Sequence, residues 1–525
     1  MGECSNLYIF FIVVLRCKLH LFYFITMNKN TIDPAKSIPA FYAGQSIFLT
    51  GATGFLGKVY FEKILRSCPD VREIFILMRP KKGLNINERL EKILNLPLYN
   101  KLRQEQPLNF KKLIPISGDA NQENLGLSTA DRQMLIERVN IIIHAAASVK
   151  FNDTLKYAIL TNTRSTRDIC ILAECVKNLI ALVYVSTAYS HLDNPFIEEK
   201  LYSPVDDWRK MIKMAESLDE HILNIFTIKC LNNIPNTYIF SKNLAESVIQ
   251  EYSLSLPCAI VRPSIVTSSW KDPFPGWIDS FNGPIGLMVA AGKGLMRVTL
   301  ASNNITANYM PVDTVINTII LVTWKLGLTT FTPASTCFVV NCTFPNEKNV
   351  SFRVFCNIEA KLVEKIPLYG NVWIPHALFT ENYVTYYVLT IIWHVLPAIL
   401  LDLILKFLRY RPTILELQKK IYVANRAVRH FMCNEWEFEN TNSRDLMTLI
   451  PSDNREIFSI DLYDFDIKQY ITDGLIGCKK YLLHEDVENL NKAKTHFKRV
   501  KLFVSTLRII IAITMLWMMI KWIFS

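Results

Sequence analysis

Residues 46–69 read SIFLTGATGFLGKVYFEKILRSCP: an apolar run, a glycine turn, then Val59, Phe61, Ile64 and Leu65 at helical spacing. This is strand, phosphate loop and helix in the order that a dinucleotide-binding βα unit requires. Gly51, Gly54 and Gly57 form the pattern T-G-x-x-G-x-x-G. One glycine lets the backbone turn sharply, one lets it approach a pyrophosphate, and one lets the helix pack closely on the strand. The backbone around Thr53, Gly54, Phe55 and Leu56 then offers free N–H groups to the anion at the helix start. The alternative is a tight turn without a ligand. The strand before the motif and the helix after it argue against that alternative.

A second strand, EIFILM (73–78), ends at Arg79, with Lys81 and Lys82 behind it. An acid at this place would bind a ribose 2′-hydroxyl, whereas a basic residue suits a 2′-phosphate, so Arg79 predicts NADPH rather than NADH. The two lysines fit a solvated turn equally well. Further strand-like runs, LIPISGD (113–119), NIIIHAAAS (140–148), LVYVSTAYS (182–190) and AIVRPSIV (259–266), alternate with helical stretches. Such alternation predicts an α/β fold, a Rossmann-type doubly wound parallel sheet covered by helices on both faces. Ligands bind at the carboxyl ends of its strands. Asp119 is therefore a candidate for the adenine, Ala145 and Ala146 for close approach of the cofactor, and Pro263 and Ile265 for flanking the nicotinamide. An ordinary loop role is the alternative for each.

The chemistry is expected from NTYIFSKNLAESVIQEY (236–252), where Tyr238 and Lys242 stand four apart and share one helical face. A tyrosine with its ordinary pKa near 10 is a poor acid–base group at neutral pH. A lysine ammonium beside it is expected to lower that value. Tyr-x-x-x-Lys also arises by chance on amphipathic helices, but here it lies downstream of both the glycine loop and a Ser-Thr strand end. Thr187, with Ser186 in support, is expected to join Tyr238 in holding a substrate carbonyl oxygen, since paired donors stabilise the charge that develops when hydride arrives. For Ser186 a purely local backbone role is the alternative.

Composition narrows the classes. The chain has 525 residues, half of them apolar, enough for two domains with apolar material to spare. A net charge of +11 is spread along the chain and mixed with acids, and no nucleic-acid-reading motif accompanies it. Twelve cysteines are scattered without a C-x-x-C pair or zinc spacing, which predicts reduced thiols facing the cytosol and no metal site.

TGATGFLG (50–57), VSTAY (185–189), YIFSK (238–242), RPSIVTSSWKDPFPGWIDSFNGP (262–284) and PVDTVIN (311–317) together resemble the eukaryotic alcohol-forming fatty acyl-CoA reductases, within the extended short-chain dehydrogenase/reductase superfamily. The resemblance covers residues 40–525, and its most specific part is 262–284. It implies reduction of long-chain acyl-CoA by two NADPH to a primary alcohol and free CoA through a bound aldehyde, with Tyr238 and Thr187 on the oxyanion and Lys242 also on the nicotinamide ribose. Two departures from the family pattern stand out: Asn308, where an acid is more usual, and FPNE after Thr343, in place of a glycine-bearing turn. Competing readings are a sugar-nucleotide epimerase, a steroid dehydrogenase, and a non-catalytic cofactor-binding relative.

Residues 1–40 read as an N-terminal extension. Its run LYIFFIVVL (7–15) is too short to span a membrane and lacks a preceding positive charge, and Met27 opens an ordinary soluble start, so 1–26 is expected to be absent from the mature protein. The reductase domain is placed at 41–345; the family resemblance implies a mainly helical C-terminal domain at 355–455, followed by a linker at 456–499 and a membrane anchor at 500–525. Residues 383–408 are long enough to span, although His394, Pro397, Asp402 and Lys406 interrupt them, and a buried helix pair or a hairpin within one leaflet is the alternative. The anchor carries Arg508 and Lys521 with Trp517 and Trp522, the basic KTHFKRVK precedes it, and an amphipathic in-plane helix is the alternative. Membrane lipid is thus an expected partner, with the catalytic domain facing the cytosol. The final WIFS is not an SKL-type signal, which favours the endoplasmic reticulum over the peroxisome.

Overall fold

The computed structural model describes residues 33–81, 83–306, 308–332, 336–375, 377–485 and 490–524; the stretch 1–26, Met27 and Lys82 lie outside them. Strands β1 (Ser46–Thr50), β2 (Glu73–Met78), β3 (Leu113–Ser117), β4 (Ile141–His144), β5 (Ala181–Val185), β7 (Cys258–Pro263) and β11 (Phe338–Cys342) form one seven-stranded sheet. Between them in chain order come β6 (Phe196–Ile197), β8 (Ile265–Thr267), β9 (Val298–Leu300) and β10 (Tyr309–Pro311), with β12 (Leu378–Thr380) and β13 (Glu437–Phe438) after. The sheet order is β11-β7-β5-β4-β1-β2-β3, and every pairing is parallel. From β1 the chain winds outwards to β2 and β3, then returns to β4 on the other side. That reversal opens a crevice at the carboxyl ends of β1 and β4.

The sheet forms because its strands are apolar on both faces. In β1 and β2, Ile47, Leu49, Ile74 and Ile76 join one core layer while Phe48, Phe75 and Leu77 join the other, the period-two alternation of a strand buried on both sides. Helices α1 (Phe55–Ser67) and α4 (Val312–Leu328) cover the first layer; α2 (Ser165–Cys175) and α3 (Thr237–Tyr252) cover the second.

The chain beyond the sheet is knitted into it. Two short parallel ladders, β12 on β9 and β13 on β6, join later strands to earlier ones. Residues 456–499, expected as a linker, instead contribute Phe458, Ile460 and Leu462 to the first core layer and form a helix over Ile467–Gly477. Phe458, Ile460 and Leu462 alternate and Ile467, Tyr470, Ile471 and Leu475 keep helical spacing, a signal of buried structure that the linker reading passed over. The last residues of the stretch ascribed to the extension, 1–40, are packed into the fold. Ile38 and Phe41 are buried, and the Ile38 N–H donates to Asn454 Oδ1 at 2.7 Å. The C-terminal helix starts at Leu490, ahead of the expected anchor, and buries Ala493, Phe497 and Val504 before its exposed apolar part begins.

Candidate active site

The glycine loop forms a cradle that side chains would fill. Gly51 has φ +75°, and a Cβ there would lie 2.7 Å from the Ala145 carbonyl; a Cβ on Gly57 would lie 2.4 Å from the Gly51 oxygen. Gly54 caps α1 without a side chain, leaving the N–H groups of the first turn free of side-chain partners. Thr50 ties the ends of β1 and β4 together: its Oγ1 bonds His144 Nδ1 at 2.7 Å and accepts the Ala146 N–H at 3.1 Å. The loop, Thr53, Phe55, Leu56 and Ala145 line one cavity. A cradle open to backbone donors at a topological switch point fits a dinucleotide pyrophosphate.

At the adjoining strand ends, Arg79 is 58 % exposed and pairs with Asp119 at 3.5 Å. Asp119 also accepts the Asn121 N–H, so its carboxylate is partly engaged. Arg89, which the sequence reading missed, donates to the Arg79 carbonyl at 2.6 Å. Burial and then the neighbouring Arg79 charge lower its pKa. With only Arg79 paired to the carboxylate, the neighbouring Arg89 guanidinium leaves positive charge available to an anion.

Asn236 caps α3 by accepting the Ile239 N–H, which sets Tyr238 in the first turn and projects it into the cavity beside Thr187. The Tyr238 hydroxyl hydrogen-bonds Thr187, yet burial dominates and pushes its pKa up to about 12. The expected lowering by Lys242 is not what the geometry provides. Lys242 Nζ donates to the Val185 carbonyl at 2.6 Å and to Tyr184 Oη at 3.1 Å, beneath the strand end. Burial lowers its own pKa to about 7 against the pull of Glu246. One helical turn on, a lysine long enough to reach the strand satisfies a buried carbonyl there instead of facing the phenol.

Ser186 is turned away from the Tyr238–Thr187 pair towards Glu246, to which its hydroxyl donates. Glu246 also receives Ser190 at 2.8 Å, His191 at 2.8 Å and Arg262 at 2.7 Å. Burial alone would raise this carboxyl; Arg262 and His191 outweigh it and hold the group well below the carboxylate range. The network fixes the 186–191 turn from below. Its signal was in the sequence: Tyr238, Lys242 and Glu246 form a polar i, i+4, i+8 stripe on an apolar helix.

The 262–284 segment is hung from PVDTVIN. Asp313 accepts the successive N–H groups of Trp270, Lys271 and Asp272 at 2.9, 2.8 and 3.0 Å. Asp272 pairs with Lys63 and Arg66 of α1, and Asp279 with Lys58, so the segment clamps the phosphate-loop helix. Pro263 and Ile265 line the cavity. The two departures from the family pattern meet: Asn308 Oδ1 accepts the Phe344 N–H at 2.8 Å and Nδ2 donates to the Phe344 carbonyl at 3.4 Å. An amide does both, whereas an ionised acid only accepts.

Away from the glycine loop the cavity, about 1400 Å³ in all, runs between helices Pro284–Gly292, α5 (Phe352–Lys365) and α6 (Ile414–Cys433). Phe431 of α6 lies 5.3 Å from Phe151, whose ring is 5.8 Å from Tyr238. Helix α6 thereby roofs the Tyr238 site with apolar groups, a role invisible before the chain is folded.

A phosphate cradle, a tyrosine–threonine pair in the cavity wall and an adjoining apolar chamber define a nucleotide-dependent reductase. The comparisons give the particular family. A model described as male sterility protein, NAD-binding, matches residues 49–319, and a second male sterility model, Sterile, matches 393–485. Fatty acyl-CoA reductase 1 of Mus musculus is 38% identical over 470 residues, covering 89% of this chain and 90% of that one. Fatty acyl-CoA reductase 1 of Homo sapiens is 37% identical with the same coverage, and fatty acyl-CoA reductase 2 of Mus musculus is 37% identical, covering 88% and 90%. The chain belongs to the fatty acyl-CoA reductase family. Its fold is shared by the terminal R domain of the myxalamid PKS-NRPS pathway (TM-score 0.53, 18% identity, 83% and 91% covered). The nonribosomal peptide synthetase R domain from Mycobacterium tuberculosis is similar too (TM-score 0.53, 15% identity, 88% and 97% covered).

Proposed function

We propose that this enzyme reduces long-chain acyl-CoA to the primary alcohol with NADPH, releasing CoA and passing through a bound aldehyde. The observation that carries the reading is the place of Tyr238 and Thr187, at the junction between the glycine cradle and an apolar chamber roofed by α6. Bound NADPH supplies a hydride in each of two rounds. Gly51, Thr53, Gly54, Phe55, Leu56 and Gly57 hold the pyrophosphate, Ala145 and Ala146 let the dinucleotide lie close, and Pro263 and Ile265 flank the nicotinamide. Arg79 takes the 2′-phosphate, helped by Arg89, and Asp119 takes the adenine side.

In the first round the Thr187 and Tyr238 hydroxyls hydrogen-bond the oxygen of the thioester carbonyl as its carbon becomes tetrahedral. The C–S bond then breaks, its electron pair leaves on sulfur, and the aldehyde carbonyl forms. In the second round Tyr238 gives its proton to the alkoxide oxygen. A phenol held near 12 by burial stays protonated at physiological pH, as a proton donor must. Two of the three Lys242 ammonium protons go to Val185 and Tyr184, and the third is assigned to the nicotinamide ribose, while Ser186 supports the turn that carries Thr187.

Two helices, Tyr383–Phe407 and Leu490–Ile523, are long and apolar enough to cross a membrane. From Ser505 to Ile523 the exposed helix is about 28 Å long, close to the thickness of a bilayer core. This supports a C-terminal anchor, and the basic KTHFKRVK (494–501) ahead of it supports a catalytic domain on the cytosolic side. The test is to supply the membrane-bound enzyme with hexadecanoyl-CoA and NADPH and to score products. Hexadecanol with two NADPH consumed per molecule is expected. Aldehyde as the end product, or no acyl reduction, overturns the assignment.

A further inference from the structure

Helix Tyr383–Phe407 passes a length-and-composition test for a membrane span, but its side chains divide into two faces. Tyr386, Thr390, His394 and Ala398 are buried at successive i+4 positions, a single stripe turned to the protein. The polar residues that interrupt the apolar run are spent on protein backbone. His394 Nε2 accepts the Arg297 N–H at 2.9 Å, and Asp402 accepts the Thr413, Ile414 and Leu415 N–H groups at 3.0, 2.9 and 2.9 Å, capping α6. The opposite face exposes Val384, Leu396, Leu400, Leu403 and Phe407, the last at 88 %.

Crossing the bilayer in this arrangement would carry α6 into hydrocarbon along with its partner helix. Helix α6 exposes Lys419, Lys420 and Arg426, and each charge at that depth is costly. Lying flat, the same hairpin puts apolar side chains into the leaflet and keeps charges at headgroup level. The charge at its tip fits that surface. Lys406, Arg409 and Arg411 surround the exposed Phe407 and Tyr410, and the two acids by this tip are both engaged, Asp402 as a cap and Glu416 with Lys420 at 2.8 Å. The C-terminal helix leaves from the same side. The Asn371 carbonyl bonds His496 of that helix at 2.8 Å, and Trp373, two residues on, lies 6.4 Å from Trp393 of the hairpin. Along α6 the cavity wall extends from Phe431 near Tyr238 to Lys419 and Glu416 near the tip, about 22 Å at the helical rise.

We propose that the hairpin 383–433 is an in-plane docking element for an anionic leaflet, and that the cavity end beside its tip exchanges long acyl chains with that leaflet. This rests on the reading of the protein as a membrane-attached reductase of long acyl thioesters. The full chain is reconstituted in phosphatidylcholine–phosphatidylserine vesicles, with a photo-crosslinking residue at Phe407 or at Ile511 of the tail. Separately, Glu381→Cys and Arg411→Cys chains are treated with a membrane-impermeant thiol reagent and mapped by peptide mass spectrometry. Lipid adducts at position 407 and labelling of both cysteines from the same side are expected. Labelling from opposite sides means that the helix spans, and adducts at 511 without any at 407 mean that the hairpin stays in water; either overturns the proposal alone. A chain that neither floats with vesicles nor gives adducts overturns the membrane reading itself. Function gives a second readout: Phe407→Asp, or Lys406→Glu with Arg411→Glu, raises KM about tenfold for hexadecanoyl-CoA in vesicles. Values for a short soluble acyl-CoA stay unchanged. Equal loss on both substrates, or none on either, removes the exchange role.

Discussion

Arg262 Nη2 and Glu246 Oε2 form an ion pair at 2.7 Å with the guanidinium fully buried, directly beneath the turn that carries Thr187. Removing one partner strands the other charge in the interior. Glu246→Gln is expected to cost about 3–5 kcal/mol of stability, read by denaturant unfolding. The carboxyl is depressed in the folded state, so its contribution is present above the ordinary carboxyl pKa and is lost as pH falls from there towards the folded value. The variant should lose that acid-side decline. An unchanged acid limb would contradict the role given to Glu246.

Thr187 and Ser186 are neighbours with different tasks. Thr187→Ala should lower kcat roughly 100- to 1000-fold, the scale for losing one oxyanion donor. Ser186→Ala should mainly lower the unfolding midpoint, because its hydroxyl is bonded to Glu246. Tyr238→Phe should abolish turnover and keep NADPH binding, measured by fluorescence. An active Tyr238→Phe enzyme rules out the proposed proton donor.

Lys242 titrates near neutrality. Burial lowers its pKa to about 7, so the ammonium proposed to hold the ribose is lost as pH rises through that value. NADPH affinity should fall across this range in the wild type, while Lys242→Met should be weak throughout and show no such step. Equilibrium titrations over a pH series give the comparison.

The proposed preference for NADPH rests on the Arg79–Arg89 pair. A charge-assisted hydrogen bond is worth about 1.5–3 kcal/mol, so Arg79→Ala should raise KM for NADPH roughly 10- to 100-fold. KM for NADH should change little. Equal loss with both cofactors would mean that Arg79 holds the protein and not the phosphate.

Glu359 faces the cavity, and burial raises its carboxyl to about 8. The native protein therefore keeps this proton where the unfolded chain has lost it, between about pH 4.3 and 8. Its contribution is complete below the unfolded pKa and disappears as pH rises through 8. Glu359→Gln should flatten that decline in urea unfolding measured across the range.

Much of the fold is legible in local chemistry. The glycine loop, the β-branched strands and the cap that starts α3 are short-range patterns, and they place Gly51, Gly54, Gly57, Thr187 and Tyr238 at one crevice because a parallel sheet carries all its strand ends to one edge. Other parts depend on residues far apart in sequence. Glu246 meets Arg262 across two elements, Asp313 holds a loop some forty positions before it, and Phe431 closes over Phe151. The Lys242 assignment shows the boundary: spacing put it on the tyrosine's helical face, but a buried carbonyl at Val185 claimed its ammonium.

The opening motif, SIFLTGATGFLG, determined by itself the tight strand–turn–helix passage at the head of the sheet, because glycine alone tolerates those close backbone approaches. What tertiary structure decided is which polar groups in apolar stretches are spent within the protein. Asp402 looks like a charge interrupting a span until the helix after it folds back and offers three N–H groups. A hydrogen bond between segments is a property of their approach, and no periodicity in one segment records it.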